Sequence, residues 1–188
     1  SALKCGDKLG LPGDLKLSVL APARKSCERF EHLLHEVYSM DDPTEALVEM
    51  DRTSNATSLL IDLACDGVHC LLAADNVPAN WSEVDFSLFK NESVLKLPHH
   101  GQKDSFSELF MKEMPLQYVV TTASSDRRYN SANQEVYEKL LKLHPQLNLL
   151  FIDEREYPPY FSQPNGFQAI KLWISSENIF PEFVSLSK

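Results

Sequence analysis

The sequence predicts an α/β protein in which a layered sheet is covered by helices, and three features of its 188 residues carry that expectation. Two strand-like runs, 57–63 and 68–73, are joined by Asp66-Gly67, a dipeptide suited to the left-handed backbone of a two-residue hairpin turn. Beyond them, short apolar runs alternate with stretches of helical spacing, as when strands are connected through helices. The composition, 43% apolar and 24% charged, suits a globular chain with a core of its own. No apolar stretch approaches the roughly 20 residues that cross a bilayer.

Taken in order, residues 15–20 alternate like a strand that Ala21-Pro22 ends. Phe30, Leu33, Leu34 and Val37 recur at helical spacing within 26–38, whereas 40–54 is mostly polar and reads as a loop. Three pairs, Ser82 with Asp85, Ser105 with Glu108 and Ser131 with Gln134, predict helix starts, because such residues satisfy backbone donors left orphaned by the first turn. Strands at 93–97 and 117–122 lie between them, and a last helix over 133–143 leads to a strand at 147–152. Gly166 opens a closing strand through 174, and 179–184 adds an edge strand. The Pro-rich passage Tyr157-Pro158-Pro159-Tyr160 up to Pro164 reads as an ordered surface loop. Without a repeat or low-complexity segment, 1–188 is expected to form one domain.

With 18 Lys and Arg against 27 Asp and Glu, the net charge of −9 argues against passive binding to nucleic-acid phosphates, although a divalent metal would reverse the sign locally. Cys5, Cys27, Cys65 and Cys70 show no CxxC pairing, and Cys65 and Cys70 read as small buried thiols in or beside strands. The chain opens Ser1-Ala2-Leu3 without Met or a signal segment, which reads as a processed or excised start.

The chemistry concentrates at two strand ends. The run Val68-His69-Cys70-Leu71-Leu72-Ala73-Ala74 ends in Asp75, and Val94-Leu95-Lys96-Leu97-Pro98 ends in His99-His100-Gly101. Each strand thus delivers a candidate ligand at its C-terminal edge, where α/β sheets place ligands. Asp75 alone would equally serve as a turn or cap residue, and the two histidines as turn residues bonded to backbone carbonyls. Pro98 disfavours helix before it and Gly101 permits a sharp turn after it. On an extended chain neighbouring side chains point opposite ways, so the histidines are expected to divide their roles, one on a metal and the other on substrate or orienting a ligand. His32 and His35 share a helix face without a third ligand at metal-site spacing. His69, within a strand, and His144, at a helix end, read as structural. Asn55 is a turn residue or a polar group facing the same edge as Asp75. Serine-hydrolase elbows, P-loops and dinucleotide fingerprints have no match here.

The order Leu15-Lys16-Leu17-Ser18-Val19-Leu20-Ala21-Pro22, Asn55-Ala56-Thr57-Ser58-Leu59-Leu60, Leu71-Leu72-Ala73-Ala74-Asp75, then Val94-Leu95-Lys96-Leu97-Pro98-His99-His100-Gly101 and 118–140 resembles the C-terminal part of the αββα metallo-β-lactamase fold. It resembles in particular the hydrolase domain of competence proteins of the ComEC type and related phosphodiesterase-like proteins, and PHHG is the most specific block. The resemblance implies a metal-dependent hydrolase acting on a phosphodiester or similar small-molecule ester, with Zn or Mn as the divalent ion. Asp75 would bridge metal ions, His100 would ligate one, and His99 would lie beside the site as a catalytic contact. In such a site the metal lowers the pKa of a bound water to about 7.

Three family features are replaced. The upstream HxHxDH motif does not occur in these residues, Ala74 stands where relatives carry Gly, and Arg127-Arg128-Tyr129-Asn130-Ser131-Ala132 retains only the Tyr of an Asn-x-Tyr-Gly-His-Pro run. Two readings follow: a hydrolase completed by a missing N-terminal half or a second copy of the chain, and a non-catalytic binding or assembly module on the same scaffold. The first expects an incomplete ligand set in this chain.

Overall fold

Seven strands hydrogen-bond side by side in chain order, and a change of direction midway through this sheet creates the candidate site. A computed structural model describes residues 4–123, 131–152, 164, 166–175 and 178–185. The strands are β1 (Lys8–Gly10), β2 (Lys16–Ala21), β3 (Leu60–Cys65), β4 (Val68–Ala73), β5 (Ser93–Lys96), β6 (Leu116–Thr121) and β7 (Asn148–Phe151). The pairs from β1 to β4 are antiparallel, and those from β4 to β7 are parallel. The β3–β4 hairpin turns on Asp66 and Gly67 with φ of 51° and 82°, as the dipeptide predicts. Strands β4, β5 and β6 therefore end on one edge, and whatever follows each of them meets there.

Among the described residues the helices are α1 (Arg24–Ser39), α2 (Thr44–Thr53), α3 (Glu108–Met111) and α4 (Gln134–Leu143). None is long and apolar enough to cross a membrane. A separate antiparallel pair, β8 (Ala169–Ile174) and β9 (Ile179–Val184), completes the regular structure.

Both faces of the parallel strands are covered, which explains their continuous apolar runs. On one face Leu71, Leu95, Leu97, Val119 and Phe151 bury against Val136, Tyr137 and Leu140 of α4 and against Trp81, Phe86 and Phe89. On the other, Val68 and Val94 pack on Leu172, Ile174 and Ile179 of the β8–β9 pair. That pair is thus a cover for the sheet rather than the edge strand expected at 179–184.

Several local expectations change. Within 40–54, where a loop is expected, 44–53 form α2: Asp42 accepts hydrogen bonds from the Thr44 backbone and hydroxyl at 3.1 and 2.6 Å, and Arg52 pairs with Glu49 at 2.7 Å. Polar composition hid a helix held by the Asp42 turn that precedes it, by charge placement and by a buried Ala46. Ser82 starts no helix, because Asp85 accepts instead from the Ser87 backbone and hydroxyl, closing a local turn before the 3₁₀ segment Phe86–Leu88. Ser105 lies buried in the 3₁₀ segment Lys103–Ser105, and α3 begins after Ser107. The cap of α4 is Asn133, whose Oδ1 accepts from Glu135 N at 3.0 Å, rather than Ser131. Thr57 closes a 3₁₀ turn, so β3 begins three residues later than expected, and β1 was not expected at all. Most of the Pro-rich passage, and Tyr129 with its neighbours Arg127, Arg128 and Asn130, lie outside the described residues.

Candidate functional site

Parallel neighbours β4, β5 and β6 deliver Asp75, the His99-His100 pair and Thr122 to the same sheet edge. The sequence-predicted residues Asp75 and His100 meet there, with His100 Nε2 and Asp75 Oδ1 3.4 Å apart. The orientation of His100 is set from behind. Its Nδ1–H donates to the Thr122 carbonyl at 2.8 Å, which leaves the neutral ring's Nε2 without a proton and turned to Asp75. A metal-ligating histidine is held in this manner, with one nitrogen on a backbone carbonyl and the other free. An unprotonated Nε2 and a carboxylate are both acceptors, so their approach calls for a proton or a cation between them. The side chains of His100 and Asp75 are 46% and 40% exposed, open to a ligand from solvent.

The two histidine rings take different hydrogen-bond partners, and the backbone that presents them is not an extended strand. His99 and His100 occupy left-handed conformations, φ 44° and 55°, rather than an extended strand. Two consecutive non-glycine residues in this region cost on the order of 1–2 kcal/mol each, held here by the surrounding hydrogen bonds. His99 N–H donates to the Ala74 carbonyl at 3.0 Å, while the carbonyls of His100 and Gly101 accept from Ala132 and Asn133 at 2.9 and 2.8 Å. Gly101 continues the left-handed turn at φ 73°, and a Cβ there would lie 2.8 Å from the Tyr137 hydroxyl.

The His99 ring is held in a polar network. Its Nδ1 lies 3.1 Å from both oxygens of Asp104, and its Nε2 lies 2.9 Å from the Gln102 amide nitrogen and 3.3 Å from that of Asn55. Asp104 fixes the Nδ1 proton, so both amides donate to Nε2. Asn55 therefore fulfils both readings: it sits in the 3₁₀ turn Ser54–Thr57 and reaches the site's edge. Beneath, the fully buried Asn76 donates to the Ser58 carbonyl at 2.7 Å and accepts from Trp81 Nε1 at 3.0 Å, anchoring the residue after Asp75.

Sequence reasoning missed Gln102, Asp104, Thr122 and Lys96. Gln102 and Asp104 follow the PHHG block as ordinary polar residues, and Thr122 contributes its main chain, to which residue identity is nearly irrelevant. Lys96 did carry a signal, a lone charge inside a buried strand. Of the other histidines, His69 pairs with Asp62 at 3.0 Å, His144 donates from Nε2 to the Met111 carbonyl at 2.9 Å, and His32 lies 3.6 Å from Glu36.

Among the described residues, no group of three or more His, Cys, Asp or Glu side chains comes together so as to hold a metal ion. Asp75 and His100 supply two donors, short of the three or four protein groups usual around zinc, so these residues do not by themselves fit a complete centre.

Fold and site together define a mixed α/β protein with an Asp–His pair at the parallel edge of its sheet. No family model matches the chain. It is similar to ComE operon protein 3 of Bacillus subtilis (strain 168), with 30% identity over 94 residues, 49% of this chain. The chain spans about 12% of that relative's length.

Proposed function

We propose that this chain is the C-terminal part of a metallo-β-lactamase-like hydrolase, in which Asp75 and His100 form one side of a divalent-metal site. The observation that carries the reading is the His100 ring, tied through Nδ1 to Thr122 with Nε2 presented to Asp75. The similarity to ComE operon protein 3 supports it, as does the PHHG turn at the end of a parallel strand. The remaining ligands would come from polypeptide beyond these residues, an N-terminal half or a second copy. A phosphodiester or related ester is the proposed substrate class, by analogy with the family. His99 is anchored to Asp104, Gln102 and Asn55, and in this reading it would border the substrate next to the metal.

The two-donor set favours a second reading, a binding or assembly module without catalysis, in which a proton on His100 Nε2 takes the cation's place. Titration with Mn²⁺ or Zn²⁺ separates the two. The first reading expects weak uptake of at most one ion per chain, lost in Asp75→Ala and in His100→Ala but kept in His99→Ala. Uptake indifferent to Asp75 and His100, or none at all, rejects it, and equal loss in His99→Ala rejects the division between the histidines. Isolated, the chain should hydrolyse a generic phosphodiester no faster than background. Chelator-sensitive hydrolysis abolished by Asp75→Ala would show a competent site and exclude the non-catalytic module.

A further inference from the structure

The parallel register places Lys96 of β5 opposite Leu72 of β4, one residue before the stretch that carries Asp75. Its ammonium reaches past the end of β4 and donates to the carbonyls of Ala73 at 2.8 Å and Ala74 at 3.1 Å. These are the last two carbonyls before Asp75. Lys96 forms no ion pair within 4.0 Å among the described residues, so a partly buried cation is spent on main chain. Burial draws its proton affinity down while the Asp75 carboxylate holds it up, which puts the two charges in each other's field. From the other side, the Ala74 carbonyl also accepts from His99 N. Lys96 and His99 thus converge on the Ala74 carbonyl, in the peptide that leads into Asp75, where Lys96 acts as a strut.

We infer that Lys96 is a positioning residue: by clamping the Ala73 and Ala74 carbonyls it sets where Asp75 leaves the sheet and ties that point to the His99-His100 turn. The clamp is a property of the fold, and its effect on metal rests on the reading of Asp75 and His100 as ligands. A hydrogen bond from a charged donor contributes more than a neutral one, and its loss frees the peptide that both strands share.

The test compares the native chain with Lys96→Met, which keeps the apolar stem, and Lys96→Arg, which keeps charge and donors. Backbone hydrogen exchange is read at His99, normalised to Val119 in the core, alongside Mn²⁺ affinity. In Lys96→Met, His99 exchange should rise about tenfold, with Val119 unchanged and Mn²⁺ affinity down about tenfold. Lys96→Arg should stay within about threefold of native in both. Native protection of His99 in Lys96→Met, or equal loss in Lys96→Arg, overturns the assignment. If the methionine variant does not fold, the arginine variant decides alone: native-like exchange supports the clamp, and a rise to tenfold overturns it. A native chain that takes up no Mn²⁺ refutes the metal reading, while the exchange data still judge the clamp.

Discussion

At the scale of single residues the site is held by backbone geometry that few side chains tolerate. His99 and His100 adopt left-handed φ because their carbonyls and amides are bonded on both sides, and Gly101 adopts it where there is no room for a side chain. Gly101→Ala should cost about 1–3 kcal/mol, since the new methyl meets the Tyr137 hydroxyl at 2.8 Å and Leu97 at 3.1 Å. Urea denaturation measures it; a variant as stable as the native chain would show that the turn relaxes freely. Cys70 gives a residue-level pH dependence. Burial first, and the Asp62 charge second, push its thiol up from the usual value of 9.0 to about 11. The folded chain then keeps a proton that the unfolded chain releases, so this stabilisation is complete below about pH 9 and is lost as pH rises through about 11. The urea midpoint should fall as pH rises from about 9 to about 11, and fall less in Cys70→Ala; equal slopes would refute the account. PHHG was legible because its residue types are unusual together, whereas the Thr122 carbonyl that orients His100 has no signature in sequence.

At the scale of elements, local signals were right about strands and uneven about helices. The Asp66-Gly67 turn, β4 and α4 match their expected positions because turn chemistry and apolar periodicity agree there. Where one signal stood alone it misled: Ser82-Asp85 closes a turn, and a mostly polar stretch forms α2. Asn133 is the working cap of α4, and its replacement tests how much the element depends on it. Asn133→Ala should destabilise the protein by about 1 kcal/mol, read as a shift in urea midpoint at unchanged slope. The backbone N–H of Asn133, which the substitution keeps, donates to Gly101 O, so a loosened cap should speed exchange at Asn133 and its neighbours in the PHHG turn. A change confined to α4 would separate cap from site.

At the scale of the whole molecule, the candidate site is an edge feature on a core that does not need it. The buried clusters lie on the two faces of the sheet, while Asp75 and His100 are exposed beyond strand ends. An exposed ion pair contributes at most about 1 kcal/mol, so neither it nor an ion bound to it should govern folding. Chelator treatment should therefore move the melting temperature by less than about 4 °C. A larger fall would make the ion a structural staple.

The sequence alone determined the alternation of strands and helices, the hairpin, and the two strand ends that carry Asp75 and the histidines, because these depend on periodicity and turn chemistry within a few residues. Only the tertiary structure decided that β4, β5 and β6 run parallel as neighbours, which brings Asp75, His100 and the Thr122 carbonyl to one edge. It also decided that β8 and β9 cover the sheet and that Lys96 grips the peptide before Asp75. Hydrogen bonds to main chain across strands are indifferent to the identity of the accepting residue, so nothing local in the sequence records them.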